Sequence, residues 1–210
     1  MINKGIIFDL DGTLWDSSKE VTESWNIALK RCNIDLRITV KDMHNLMGKT
    51  LEDISNIIFS NLPKERALEI MNECVKEEDS YISKHGGTLY PQLEETLKQL
   101  SLKYKLFIVS NCQERYIETF LEYHNLDKYF LDFENAGRTK RPKGENIKSI
   151  IDRNNLDKAV YIGDTQGDYD ATKIAGIPFI HAKYGFGKIN EETNFINEIS
   201  ELPIYISKLL

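Results

Sequence analysis

Two aspartates one residue apart, Asp9 and Asp11, close the apolar run Ile6, Ile7 and Phe8 in IIFDLDGTLWDS, residues 6–17. In an extended chain residues i and i+2 point the same way. The two carboxyls are therefore expected to face one site, with Gly12 permitting a sharp turn and Thr13 supplying a hydroxyl. A second acidic pair, Asp164 and Asp168, stands in YIGDTQGDYD, and its spacing of four puts both on one face if the chain turns helical there. Up to four carboxylates would then converge. Such a cluster needs a counter-cation or takes up protons. Hard oxygen ligands, with no grouping of histidine or cysteine to compete, point to Mg²⁺.

Groups suited to an anion stand at other strand ends. Ser110 and Asn111 close the apolar run Leu106–Val109 with hydrogen-bond donors. Lys143 lies in RTKRPKGENIKSII, just ahead of a helical stripe of Ile147, Ile150 and Ile151, whose N-terminus adds positive potential. Carboxylates, a hard cation, a hydroxyl and a lysine suit phosphoryl transfer, in which a carboxylate can take the phosphoryl group as an aspartyl-phosphate. Lys140 and Arg141 share the segment, and Arg141-Pro142 is an alternative placement of the anion-binding cation. Lys143 is preferred because it adjoins the helix start and because a compact ammonium can touch Asp9 and a phosphoryl oxygen together.

The elements that must position these residues follow from periodicity. Gly5–Phe8, Leu106–Val109, Ala159–Ile162 and Pro178–Ile180, with Tyr129–Phe133 as a weaker fifth run, read as strands buried on both faces, hence a parallel sheet. Helical stripes alternate with them: Leu93, Leu97 and Leu100, then Ile117, Phe120, Leu121 and His124. The reading is an α/β fold, a doubly wound parallel sheet with a Rossmann-type core, whose ligand sits beyond the carboxyl ends of the strands. Residues 17–87 break the alternation. There Val21, Trp25, Ala28, Leu29 and Cys32 form one helical stripe, and Leu51, Ile54, Ile57 and Ile58 a second. Pro63 suits the first turn of a third helix, lined by Ala67, Ile70, Met71, Cys74 and Val75 and stopping near Gly86-Gly87. This predicts a helical domain over 17–87 inserted into a core made of 1–16 and 88–210.

Bulk properties bound the function. The chain has 210 residues, 41% hydrophobic and 29% charged, with a net charge of −6. That charge argues against a general nucleic-acid surface or an anionic membrane. No apolar stretch approaches the roughly 20 residues of a membrane helix, and the N-terminal run is too short for a signal peptide. Cys32, Cys74 and Cys112 read as free thiols of a cytoplasmic protein.

Four segments, FDLDGTLWDS, IVSNC, RPKGENI and YIGDTQGDYDATKIAGIPFI, together resemble the haloacid dehalogenase superfamily along the whole chain, in its phosphoglycolate phosphatase-like group with an α-helical cap domain. The resemblance implies a Mg²⁺-dependent phosphatase acting on a small phosphorylated metabolite; a monomer is expected, and the charge and hydropathy above give it no nucleic-acid or membrane partner. It implies Asp9 as nucleophile and Asp11 as general acid–base. It implies Mg²⁺ held by Asp9, the Asp11 backbone carbonyl and Asp164, with Asp168 supporting or ligating, and a phosphoryl group held by Thr13, Ser110, Asn111 and Lys143. Dehalogenases of this superfamily lack the second aspartate, which is present here. A sugar phosphomutase and a HAD-like binding protein without turnover are the alternatives; the Gly163-Asp164 pair resembles the phosphatases, since mutases tend to carry an acid before that aspartate. By family analogy Lys49, in LMGKTLED, overhangs the site and meets a second anionic group on the substrate. The later KYGFGK, residues 183–188, is read as a simple turn.

Overall fold

The computed structural model describes residues 2–210. Strand β1 (Lys4–Phe8) leads through a tight turn to the two-residue β2 (Trp15–Asp16). Four helices follow: α1 (Ser18–Arg31), α2 (Val40–Leu46), α3 (Leu51–Ile58) and α4 (Lys64–His85). The chain returns through β3 (Thr88–Leu89), which pairs antiparallel with β2. Strands and helices then alternate: α5 (Leu93–Ser101), β4 (Lys105–Ser110), α6 (Tyr116–His124), β5 (Phe130–Asn135), α7 (Ala136–Thr139), α8 (Lys143–Arg153), β6 (Lys158–Gly163), α9 (Gln166–Ala175) and β7 (Phe179–Ala182). The short β8 (Asn194–Ile196) and α10 (Leu202–Leu209) complete the chain.

The main sheet has six strands in the order β5-β4-β1-β6-β7-β8, every neighbouring pair parallel. The all-apolar character of β1 has a direct cause: Ile6 and Phe8 pack into one core cluster and Ile7 into the other, so both faces are covered. From β1 the chain builds outward through β4 to β5, then crosses to the other side to lay down β6, β7 and β8. The reversal of direction leaves a crevice at the carboxyl ends of β1 and β6, where such sheets place their ligands.

Between β2 and β3, α1 turns Val21, Trp25, Ala28 and Leu29 inward and α4 answers with Ala67, Ile70, Met71 and Cys74, all in one core cluster. Thr39 and Thr50 cap α2 and α3 through the backbone N–H groups of Asp42 and Asp53. The second predicted stripe is only partly internal: Leu51, Ile54 and Ile58 meet the core, whereas Ile57 lies off that face and is exposed. Strand β8 was not foreseen, since its Asn194 and Phe195 are exposed edge positions and Ile196 alone is buried. Among the described residues no helix is long and apolar enough to cross a membrane, and all three cysteines are free.

Candidate active site

Strand β1 ends at Phe8, so the alternation expected to align Asp9 with Asp11 ends one residue before Asp9. The chain then turns at Gly12, whose φ is +78°; a Cβ there would lie 2.4 Å from Asp164 Oδ2, so the turn needs glycine for both conformation and space. Asp9 and Asp11 both line one cavity, but Asp11 has hydrogen-bond partners of its own. Asp11 Oδ1 accepts hydrogen bonds from Trp15 Nε1 (2.9 Å), Ser17 Oγ (2.6 Å) and Tyr116 OH (3.2 Å). Burial raises its pKa, and these three donors hold it back.

Three carboxylates converge rather than four. Asp9, Asp164 and Asp168 each offer an oxygen within 4.8 Å of the others. Asp164 and Asp168 do not meet by sharing a helical face. Asp164 precedes the N-cap residue Thr165, while Asp168, three residues into the turn, reaches back to the Thr165 N–H (2.9 Å) as Thr165 Oγ1 accepts from the Asp168 N–H. That capping box fixes the start of α9, with both acids beside Asp9.

Lys143, 5% exposed, closes the cluster: its Nζ lies 3.0 Å from Asp9 Oδ1 and 2.6 Å from Asp168 Oδ1. It is the first residue of α8 after the N-cap Pro142, whereas Lys140 and Arg141 are exposed. Burial opposes its charge, but Asp168 and Asp9 more than offset that and raise its pKa. The Asp9 carboxyl is pushed up to about 7 by burial and by Asp168, against Lys143. Burial, then the charges of Asp168 and Asp9, raises Asp164 as well. Asp9 Oδ2 and Asp164 Oδ1 are buried with no hydrogen-bond partner. An orphaned pair of hard oxygens in an acid cluster fits a hard divalent cation.

The other predicted residues surround this cluster. Thr13 is fully buried and its Oγ1 is unpartnered. Ser110 is buried at the end of β4. Asn111 is half-buried, and its amide donates to the Gly48 carbonyl (2.9 Å) in the loop between α2 and α3. Lys49, next in that loop, is exposed but lines the cavity below it.

KYGFGK is more than a turn, in correction of the expectation. The backbone N–H groups of Phe186 and Gly187 donate to Asp164 Oδ2 (2.8 and 3.2 Å), and Tyr184 OH donates to the Thr13 carbonyl (2.8 Å). Sequence reasoning also missed Glu78. This α4 carboxyl, 4% exposed, accepts from Gln113 Nε2 (2.7 Å) and Trp25 Nε1 and lines the same cavity as Asp9 and Asp11. Its signal was present: Ile70, Cys74, Glu78 and Ile82 recur every four residues on the buried face of α4.

A model of the haloacid dehalogenase-like hydrolase family matches residues 6–182, from β1 through β7. This chain belongs to that family. It is accordingly an enzyme, a hydrolase, and its curated relatives in the family include phosphatases. A phosphoglycolate phosphatase of Aquifex aeolicus is 28% identical over 193 residues, covering 89% of this chain and 88% of the relative. A haloacid dehalogenase-like family hydrolase from Streptococcus pneumoniae superimposes with a TM-score of 0.78 at 26% identity, covering 98% of each chain. CbbY from Rhodobacter sphaeroides, solved as a mutant in complex with xylulose-1,5-bisphosphate, shares the fold at a TM-score of 0.80 and 15% identity, over 96% of each chain.

Proposed function

We propose that this hydrolase is a Mg²⁺-dependent phosphatase that cleaves a small phosphate monoester through an aspartyl-phosphate on Asp9. The observation that carries the reading is the Asp9 carboxylate: buried, with Oδ2 unpartnered, clamped by Lys143 and facing a cavity. The names of the relatives, phosphatases of a small phosphorylated acid, support it.

In this reading Asp9 attacks phosphorus while Asp11 protonates the departing ester oxygen. Asp11 then takes a proton from the water that attacks the acyl phosphate, and the bond from phosphorus to Asp9 breaks. The raised pKa of Asp11 suits an acid working near neutrality. Thr13, Ser110, Asn111 and Lys143 hold the phosphoryl oxygens. Asp9, Asp164 and the Asp11 main-chain carbonyl would hold Mg²⁺, which when bound supplies positive charge against the acids and the phosphoryl group. Asp168, already engaged by Lys143 and Thr165, positions rather than ligates. Residues 17–87 serve as a cap over a core of 1–16 and 88–210, and Lys49, at the rim, draws in the anionic substrate. Gly163 supports hydrolysis over mutase chemistry: a Cβ there would fall 2.6 Å from Asp168 Cγ, so the site admits no acidic side chain before Asp164.

Hydrolysis of p-nitrophenyl phosphate tests the reading. Turnover should require Mg²⁺, cease in EDTA, and vanish in a folded Asp9→Ala variant, because the uncatalysed reaction is among the slowest known. Full activity in EDTA, or a tenth of wild-type turnover in Asp9→Ala, refutes it.

A further inference from the structure

The cavity beneath the cap carries information about the group that leaves. Its floor is Asp9, Asp11, Ser110 and Asn111, and its roof is apolar: Val21, Met43, Leu46, Met47, Leu51 and Ile54. The cap lends this cavity one buried carboxyl, Glu78, beside Trp25 and Gln113, which donate to it. Lys49 is the cavity's only lysine or arginine and is exposed at the rim. Lys143 is already paired with two aspartates.

We propose that the substrate's leaving group is a short alcohol bearing a hydrogen-bond donor and no negative charge, with that donor on Glu78. The proposal rests on the phosphatase reading above and adds the substrate class. The interior is small, about 50 Å³, where a single water needs roughly 10–15 Å³, so a short group sits within it, while a larger one such as nitrophenyl extends past Met47, Gly48 and Lys49 into the adjoining groove that those residues also line. Charge limits it further. A carboxylate here would exchange water for aliphatic side chains and face Asp9 and Asp11, with no buried cation free to answer it. A hydroxyl or an ammonium instead meets an acceptor, since each carboxyl oxygen has a lone pair beyond the one taken by Trp25 or Gln113. Lys49, at the solvated rim, does not change the interior. The inference separates this chain from relatives named for phosphoglycolate, whose leaving group, glycolate, is an anion.

Three esters of matched length decide it: phosphoglycolate, 2-hydroxyethyl phosphate and phosphoethanolamine, which end in carboxylate, hydroxyl and ammonium. Each is assayed with Mg²⁺ for kcat/KM, and as a competitive inhibitor of p-nitrophenyl phosphate hydrolysis where turnover is slow. The hydroxyl or ammonium ester should exceed phosphoglycolate by about tenfold or more, a modest part of the roughly 10⁴-fold that a site hydrogen-bonding a substrate hydroxyl can reach. Glu78→Gln should shrink that advantage, and Met47→Lys, which adds a cation to the roof, should shift preference toward phosphoglycolate. If p-nitrophenyl phosphate is hydrolysed but phosphoglycolate equals or beats the other two, the proposal falls and the phosphatase reading stands. If p-nitrophenyl phosphate is not hydrolysed at all, both fall. A folded Glu78→Gln with the wild-type order and ratios removes Glu78 from the account. The wild-type order decides the charge question even where a variant does not fold.

Discussion

Lys143 reaches Asp9 and Asp168 with one ammonium, while Arg141, two residues earlier, lies in solvent. This contrast sets a graded expectation. Lys143→Ala removes a preorganised cation beside the reacting carboxylate and should lower kcat/KM a hundredfold or more, about 3 kcal/mol. Arg141→Ala and Lys140→Ala should each cost roughly tenfold or less. Steady-state kinetics on the three variants checks the order, and a crippled Arg141→Ala beside a mild Lys143→Ala would reverse the assignment. Asp11 is a second residue whose setting shapes its use. Trp15, Ser17 and Tyr116 hold its carboxyl in place on the floor of the cavity. Asp11→Asn keeps an acceptor for those donors but cannot deprotonate water. It should be almost inactive and accumulate phospho-enzyme, visible as a gain of one phosphate in intact mass; an unmodified, active variant would remove Asp11 from both proton transfers.

Helix α9 begins with a capping box that also serves the site. Asp168 Oδ2 takes the Thr165 N–H and hydroxyl, while Oδ1 takes Lys143 Nζ. One side chain thus fixes a helix start and holds the first residue of α8. Asp168→Asn has a single acceptor oxygen for these duties and puts an amide donor opposite another donor. Unfolding in urea should show a loss of about 1 kcal/mol from the cap, and kcat/KM should fall, though by less than in Lys143→Ala, through the lysine left without its second partner. Loss of stability with normal kinetics would show that the cap alone matters. The loop 183–188 is the matching device on the other side, with two backbone N–H groups oriented on Asp164.

Across the whole molecule, Glu78 ties the inserted helices to the core, since its partner Gln113 follows β4. Burial pushes the Glu78 carboxyl up from an ordinary 4.5 to about 8, against the hydrogen bonds of Gln113 and Trp25. Between those values the folded protein keeps a proton that the unfolded chain has lost. Stability linked to this group is therefore complete below pH 4.5 and falls as pH rises toward 8. Urea midpoints measured from pH 5 to pH 8.5 should drop more steeply for wild type than for Glu78→Gln. Parallel curves would show that Glu78 does not titrate in this range. The comparison isolates one group, because Asp9 and the other raised acids remain in both proteins.

The strands were legible because a segment buried on both faces must be apolar throughout, and Ile6, Ile7 and Phe8 declare that locally. The long helices were legible because Trp25 or Ile70 must recur with the helical turn to reach a core. The family was legible because its motifs are short, local and tied to strand ends. What periodicity reports is that a face is buried, not what it is buried against. Only the tertiary structure decided which partners Asp11 takes, since the strand had ended at Phe8 and Tyr116 comes to it from far along the chain. Only it brought Gly185 and its neighbours onto Asp164 and set Gln113 beside Glu78, contacts between residues far apart in the chain. Strand β8 likewise needed a sheet edge to pair with before three mixed residues could count as a strand. Local patterns record the cost of exposing apolar surface residue by residue; the meeting of distant polar groups is set by how whole elements close over one another, and no single segment encodes it.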